Sequence, residues 1–182
     1  PSVPAKSGKE LIAYAKANPG KLNFGSSGSN TLQHFAGELL SHMAGVKLVH
    51  VPYKGTAAVI RAMLSGEVQV GFGSLIGTRS QMESGRLRGI AITAAKRSPS
   101  IDLPTVAESG VPGYEVDQWY GVITSSIVPQ PIVRKLNAAI VEALQQPDVA
   151  TRLAADGSTP IGSSPEQFNA HIKSEIAKWK RL

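Results

Sequence analysis

The chain contains no cysteine. Disulfides, thiolate metal sites and a cysteine nucleophile are therefore excluded. Aromatic residues are scarce, at 5%. The basic residues are scattered, with one dense cluster at Lys178-Trp179-Lys180-Arg181. A nucleic-acid platform needs basic residues interleaved with aromatics along one face, so the net charge of +6 reads as solvation with a mild attraction for anions. No apolar run approaches membrane-spanning length, and no signal-peptide pattern opens the chain. Signatures of chemistry are missing too. There is no GxGxxG, no GxxxxGK[ST], no GxSxG elbow, no HExxH and no paired-carboxylate motif. Nothing in the residues argues for catalysis, and no cofactor or metal is called for.

What is present is a phrase that occurs twice. A short apolar strand runs into a Gly/Ser/Thr-rich turn, and the turn opens an amphipathic helix. The first copy is Leu22-Asn23-Phe24, then Gly25-Ser26-Ser27-Gly28-Ser29-Asn30-Thr31, then Leu32 onward. The second is Leu48 to Tyr53, then Lys54-Gly55-Thr56, then Ala57 onward. Each phrase sets free backbone N–H groups and hydroxyls at the positive end of a helix dipole, which is a ready anion site.

The wider pattern is strand–helix alternation. Ser7-Gly8-Lys9-Glu10 reads as a capping box before a helix that Asn18-Pro19-Gly20 stops. Strands are predicted at Leu22–Phe24, Lys47–Tyr53, Val68–Phe72 and Leu87–Thr93. Helices are predicted from Leu32 to Gly45, over Ala57–Ser65 and over Ile76–Ser84. Short loops between these elements predict a parallel sheet covered on both faces, with ligands at the carboxyl ends of its strands. After Ala94, Pro- and Gly-rich stretches look like connectors between lobes. A strand at Glu115–Thr124 and helices near 131–146, 148–155 and 165–180 follow, the last opened by a capping box at Ser164-Pro165-Glu166-Gln167. One strand with three helices is too little sheet for a balanced α/β lobe.

Each motif has a plain reading beside the functional one. The Gly25–Thr31 turn exceeds what a simple cap at Ser29 needs, so ligand contact is favoured. Tyr53 and Thr56 are favoured for function, whereas Lys54 reads as solvated. His34, Glu38 and His42 lie four residues apart on one helix, but that spacing is no zinc motif, and a solvated face is the better reading. Trp119-Tyr120-Gly121 suits either a cleft wall or core packing.

With these residues quoted, the chain resembles the solute-binding proteins of tripartite tricarboxylate transporters, the Bug-type receptors. The matching stretches are Val3–Ser7, Gly25–His34, Val49–Gly55, Gly85–Ser98, Leu103–Tyr114 and Trp119-Tyr120-Gly121. VPYKG followed by LPTVAESGVPGY is the most specific combination. The resemblance implies an α/β fold like that of type II periplasmic binding proteins. It implies a small carboxylate as ligand, a periplasmic location, and membrane permease subunits as partners. It maps ligand contacts to Ser26, Ser27, Gly28, Asn30 and Thr31 in the first turn. It maps others to Tyr53, Gly55 and Thr56 in the second, and to Gly73 and Ser74 in the third. One departure is clear: the family usually carries an Asp where Gly73 stands here.

The resulting expectation is one complete parallel-sheet lobe over residues 1–100, joined to the C-terminal half of another lobe over 101–182. On this reading the chain is an N-terminally truncated receptor whose apolar C-terminal helix stripes promote self-association. The rivals are an effector-binding module of a regulator, which needs a helix-turn-helix upstream, and an enzyme for a small anionic substrate, which needs a base or metal beside the turns.

Overall fold

The computed structural model describes residues 3–155 and 157–180. The chain divides into two compact units, Pro1–Gln118 and Trp119–Leu182. The first unit therefore runs past residue 100, because the Pro-rich connector packs onto it.

In the first unit, α1 (Gly8–Ala17) precedes β1 (Leu22–Ser26), α2 (Leu32–Ala44), β2 (Leu48–Pro52), α3 (Thr56–Ser65), β3 (Val70–Gly71) and α4 (Leu75–Glu83). The sheet order is β2-β1-β3, and both pairings are parallel, as the strand–helix alternation requires. Residue spacing of two sorts β1 into faces. Phe24 points toward α2, so closely that a Cβ on Gly37 would meet its ring at 2.1 Å. Phe24 is fully buried and joins Ala5, Leu11, Ala15, Leu22 and Val70 in the core. Gly25 faces the opposite way, beneath Val59, Val68 and the Tyr53 ring. The register aligns Phe24 with His50 and Ser26 with Pro52.

The helix ends follow local chemistry. Ser7 caps α1 by accepting the Glu10 N–H at 3.2 Å, while the Glu10 carboxylate reaches one residue further back, to the Lys6 N–H at 2.7 Å. Helices α2 and α3 end at Gly45 and Gly66, both in the left-handed region.

Three strand expectations need correction. The strand expected at Val68–Phe72 is confined to Val70–Gly71. Before it, the Gln69 side chain takes the Asn23 N–H at 3.0 Å, the place a ladder bond would hold. Leu87–Thr93 forms only a single parallel bridge, Ile92 to Thr105. Its neighbour cannot continue the ladder, because Pro104 has no N–H and Thr105 starts a helical turn closed by Ser109 N–H to Thr105 O at 3.0 Å. Glu115–Thr124 is not a strand. Val116 donates to Thr93 O at 2.9 Å, but no second strand lies beside this segment among the described residues. The connector nonetheless docks firmly on α2. Tyr114 is buried and donates its hydroxyl to Ala36 O at 3.0 Å, and burial pushes its phenol far above the ordinary range.

The second unit contains α5 (Gln130–Leu144), α6 (Pro147–Ala155) and α7 (Pro165–Trp179). The capping box at the start of α7 forms as read: Ser164 accepts from the Gln167 N–H at 3.2 Å and its own N–H reaches Gln167 Oε1 at 2.9 Å. Asn137 on α5 donates to Ser163 O at 2.9 Å. The Trp119 ring packs edge-on against Phe168 and His171, with centroids 5.5 and 5.1 Å away.

Candidate functional site

Because all three strands run the same way, their carboxyl ends share one edge of the sheet. The turns into α2, α3 and α4 all leave from that edge. The first two turns are tied together directly. The Tyr53 N–H donates to Ser26 O at 2.9 Å, and the Gly55 N–H donates to Ser27 O at 3.3 Å. At each helix start, the first amides (Leu32 and Gln33, Thr56 and Ala57, Leu75 and Ile76) have no intrahelical acceptor.

The first turn is organised by its own hydroxyls. Thr31, not Ser29, is the N-cap of α2; it accepts the His34 N–H at 3.4 Å and donates to Gly28 O at 2.7 Å. Ser26 was expected to face a ligand, but it is fully buried. Its Oγ donates to Gly28 O at 2.8 Å, accepts the Gly28 N–H at 3.3 Å and lies 2.6 Å from His50 Nε2. Ser26 therefore shapes the turn from beneath. The Ser27 hydroxyl is engaged by Gln33 Oε1 at 3.0 Å. Asn30 is exposed and holds φ +62°, the left-handed region that Asn tolerates better than most residues.

The second turn is barer. Gly55 is the N-cap of α3, with φ +91° and no side-chain cap. Thr56 is half-buried at the first helical position, and Lys54 is exposed. The Tyr53 ring lies over Gly25, and its hydroxyl is buried near the Glu67 carboxylate without completing a hydrogen bond. Burial first, and Glu67 second, raise the phenol's pKa. Tyr53 thus brings its backbone to the turn, while its hydroxyl points into the protein. In the third turn, Ser74 caps α4 by accepting the Gly77 N–H at 3.4 Å, and Gly73 is exposed.

Sequence reasoning missed His50. Its alignment with Phe24 stacks the two rings with centroids 4.9 Å apart. His34, from the first turn of α2, stacks on His50 at 3.9 Å. Burial lowers the His50 pKa, and the His34 ring lowers it further, against a weaker opposite pull from Glu38. The available signal was a lone histidine inside the apolar run Leu48–Val51. The Ser26–His50 pair has the contact of a nucleophile and its base, but a fully buried hydroxyl cannot reach a substrate. His34 lies 3.6 Å from Glu38, and His42 is exposed. Among the described residues, no group of three His, Asp or Glu side chains is placed to hold a metal ion.

The comparisons agree on what this arrangement belongs to. Residues 1–182 match TctC, the tripartite tricarboxylate transporter family receptor. A Pseudomonas sp. relative, "UPF0065 protein in tcbD-tcbE intergenic region", is 37% identical over 175 residues, covering 95% of this chain and 52% of the relative. Among solved structures, "R. palustris Rpa4515 with adipate" superposes with a TM-score of 0.89 at 36% identity, covering 99% of this chain and 60% of that one. The periplasmic binding protein BugD gives 0.83 at 32% identity, with 100% and 62% covered. MatC from Rhodopseudomonas palustris with bound malate gives 0.79 at 31% identity, with 98% and 62% covered. The chain spans about half the length of the Pseudomonas relative. Its α/β fold is that of periplasmic binding proteins. Matched along its whole length, the chain belongs to the tripartite tricarboxylate transporter receptor family.

Proposed function

We propose that this chain carries a carboxylate-binding face of an extracytoplasmic solute receptor, which delivers its ligand to membrane permease subunits of a tripartite tricarboxylate-type transporter. The observation that carries this reading is the tying of the β1–α2 turn to the β2–α3 turn through Ser26 O and Ser27 O. That link sets two helix N-termini side by side, each with amides lacking intrahelical acceptors. Relatives of the same fold hold adipate and malate, both small dicarboxylates. Gly28, Asn30, Thr31, Gly55 and Thr56 meet one carboxylate end of the ligand, and Gly73 and Ser74 flank it. Ser26, Ser27 and Tyr53 hold the turns in shape. Gly73 offers no side chain at this edge, so an anionic ligand meets no opposing charge from that position.

Calorimetric titration with adipate and with malate tests the reading. Saturable binding of either is expected. Thr56→Val removes the hydroxyl while keeping its volume, and weakens binding by about 1–2 kcal/mol, the cost of one good hydrogen bond. Unchanged affinity would remove Thr56 from the site.

A further inference from the structure

One bond near the first turn has a direction set by chemistry alone. The Asn30 backbone N–H lies 3.2 Å from His34 Nδ1. An amide N–H only donates, so Nδ1 must carry a lone pair. In the neutral ring the proton then sits on Nε2, which faces Glu38 Oε1 at 3.6 Å. The neighbouring ring is constrained as well. Ser26 has one hydroxyl proton and directs it to Gly28 O at 2.8 Å, so His50 Nε2 is the donor across the 2.6 Å contact. Two imidazoles stacked at 3.9 Å do not both accept a charge readily. His50 packs against Phe24 and Ser26, and His34 has a carboxylate beside it. The only open nitrogen of His34 is the one that holds Asn30.

We infer that His34 is a positioning residue that couples the shape of the Gly28–Thr31 turn to proton uptake. With Nδ1 unprotonated, His34 anchors the Asn30 amide and so helps to fix its left-handed backbone. A proton from solvent on Nδ1 makes it a second donor facing the Asn30 N–H. That contact breaks, and the turn above Ser26 loosens. The titratable groups facing His34 are Glu38 on its own helix and His50 on β2, while β1 presents Phe24 and Ser26. The consequence for ligand, which rests on the carboxylate reading above, is weaker binding once His34 Nδ1 carries a proton.

The test is a pH titration of the isotopically labelled chain by NMR between about pH 8 and 5, the range in which histidine changes charge. The Asn30 amide is expected to shift with the same midpoint as the His34 ring carbon-bound protons. Its hydrogen exchange is expected to quicken on the order of fivefold beyond the intrinsic pH effect, as one hydrogen bond is lost. In His34→Phe, which keeps a ring to stack on His50, the Asn30 amide sits at its released position at every pH. An Asn30 amide that ignores the His34 titration overturns the proposal. So does the same Asn30 titration in His34→Phe. The wild-type titration decides the matter even where that variant fails to fold. Calorimetry with adipate at pH 7.5 and pH 6.0 then reads the consequence: affinity falls in the wild type. No adipate binding at either pH, with the Asn30 response intact, overturns the carboxylate reading and leaves the His34–Asn30 coupling standing.

Discussion

His50 sits on β2 against Phe24, His34 and the hydroxyl of Ser26, where its charged form is disfavoured. The linkage has a definite sign. The folded state holds the ring below its ordinary pKa of about 6.5, so just below that pH the unfolded chain binds more protons than the folded one. The contribution to stability is complete above about pH 6.5 and is lost as pH falls through the lowered folded-state value. Urea midpoints at pH 7.5 and pH 5.5 should therefore differ more in the wild type than in His50→Gln. An equal drop in both would mean that His50 is not the linked group. At this scale the site was partly legible. The turn itself was legible, because Gly, Ser, Asn and Thr before an apolar helix mark a turn and a helix cap. The inward role of Ser26 and the stacking of His34 on His50 were not legible. Both depend on the alignment of Phe24 with His50, and pairing register is not written in either strand alone.

Among elements, α2 approaches β1 closely where Gly37 meets Phe24. Replacing glycine by alanine in a helix interior ordinarily stabilises by about 0.5–1 kcal/mol. At Gly37 the added methyl would stand 2.1 Å from the Phe24 ring, well inside contact distance. Overpacking of a filled core costs about 1–3 kcal/mol, so the clash outweighs the helix propensity. Gly37→Ala is expected to lower the thermal midpoint, and a rise would show that α2 shifts freely off the sheet. Helices were the more legible elements. Each is bounded by a residue whose local chemistry acts alone, such as Ser7, Gly45, Gly66 or Ser164. Strands were less so. The apolar run at Leu87–Thr93 has the composition of a strand, but its would-be partner carries Pro104 and turns away at Thr105. Glu115–Thr124 reads as a strand too, yet a strand exists only where a neighbour supplies its hydrogen bonds.

At the scale of the molecule, the two units differ in how they bury apolar surface. The first encloses Phe24, Val68 and Tyr114 almost completely, whereas Tyr120, Ile123, Ile127 and Ile161 of the second are each at least 80% exposed. Large exposed apolar patches are rare on soluble monomers. The chain by itself is accordingly expected to self-associate, and sedimentation velocity giving only monomer at rising concentration would refute this. The central claim concerns the other unit, where two turns at one sheet edge are joined to receive a carboxylate. Titrating the labelled protein with malate and following every backbone amide tests it directly. The largest shifts are expected at Gly28–Gln33 and at Gly55–Ala57, with smaller ones at Ser74–Ile76. Saturable shifts centred on α5, α6 or α7 instead, with the two turns unmoved, would contradict it.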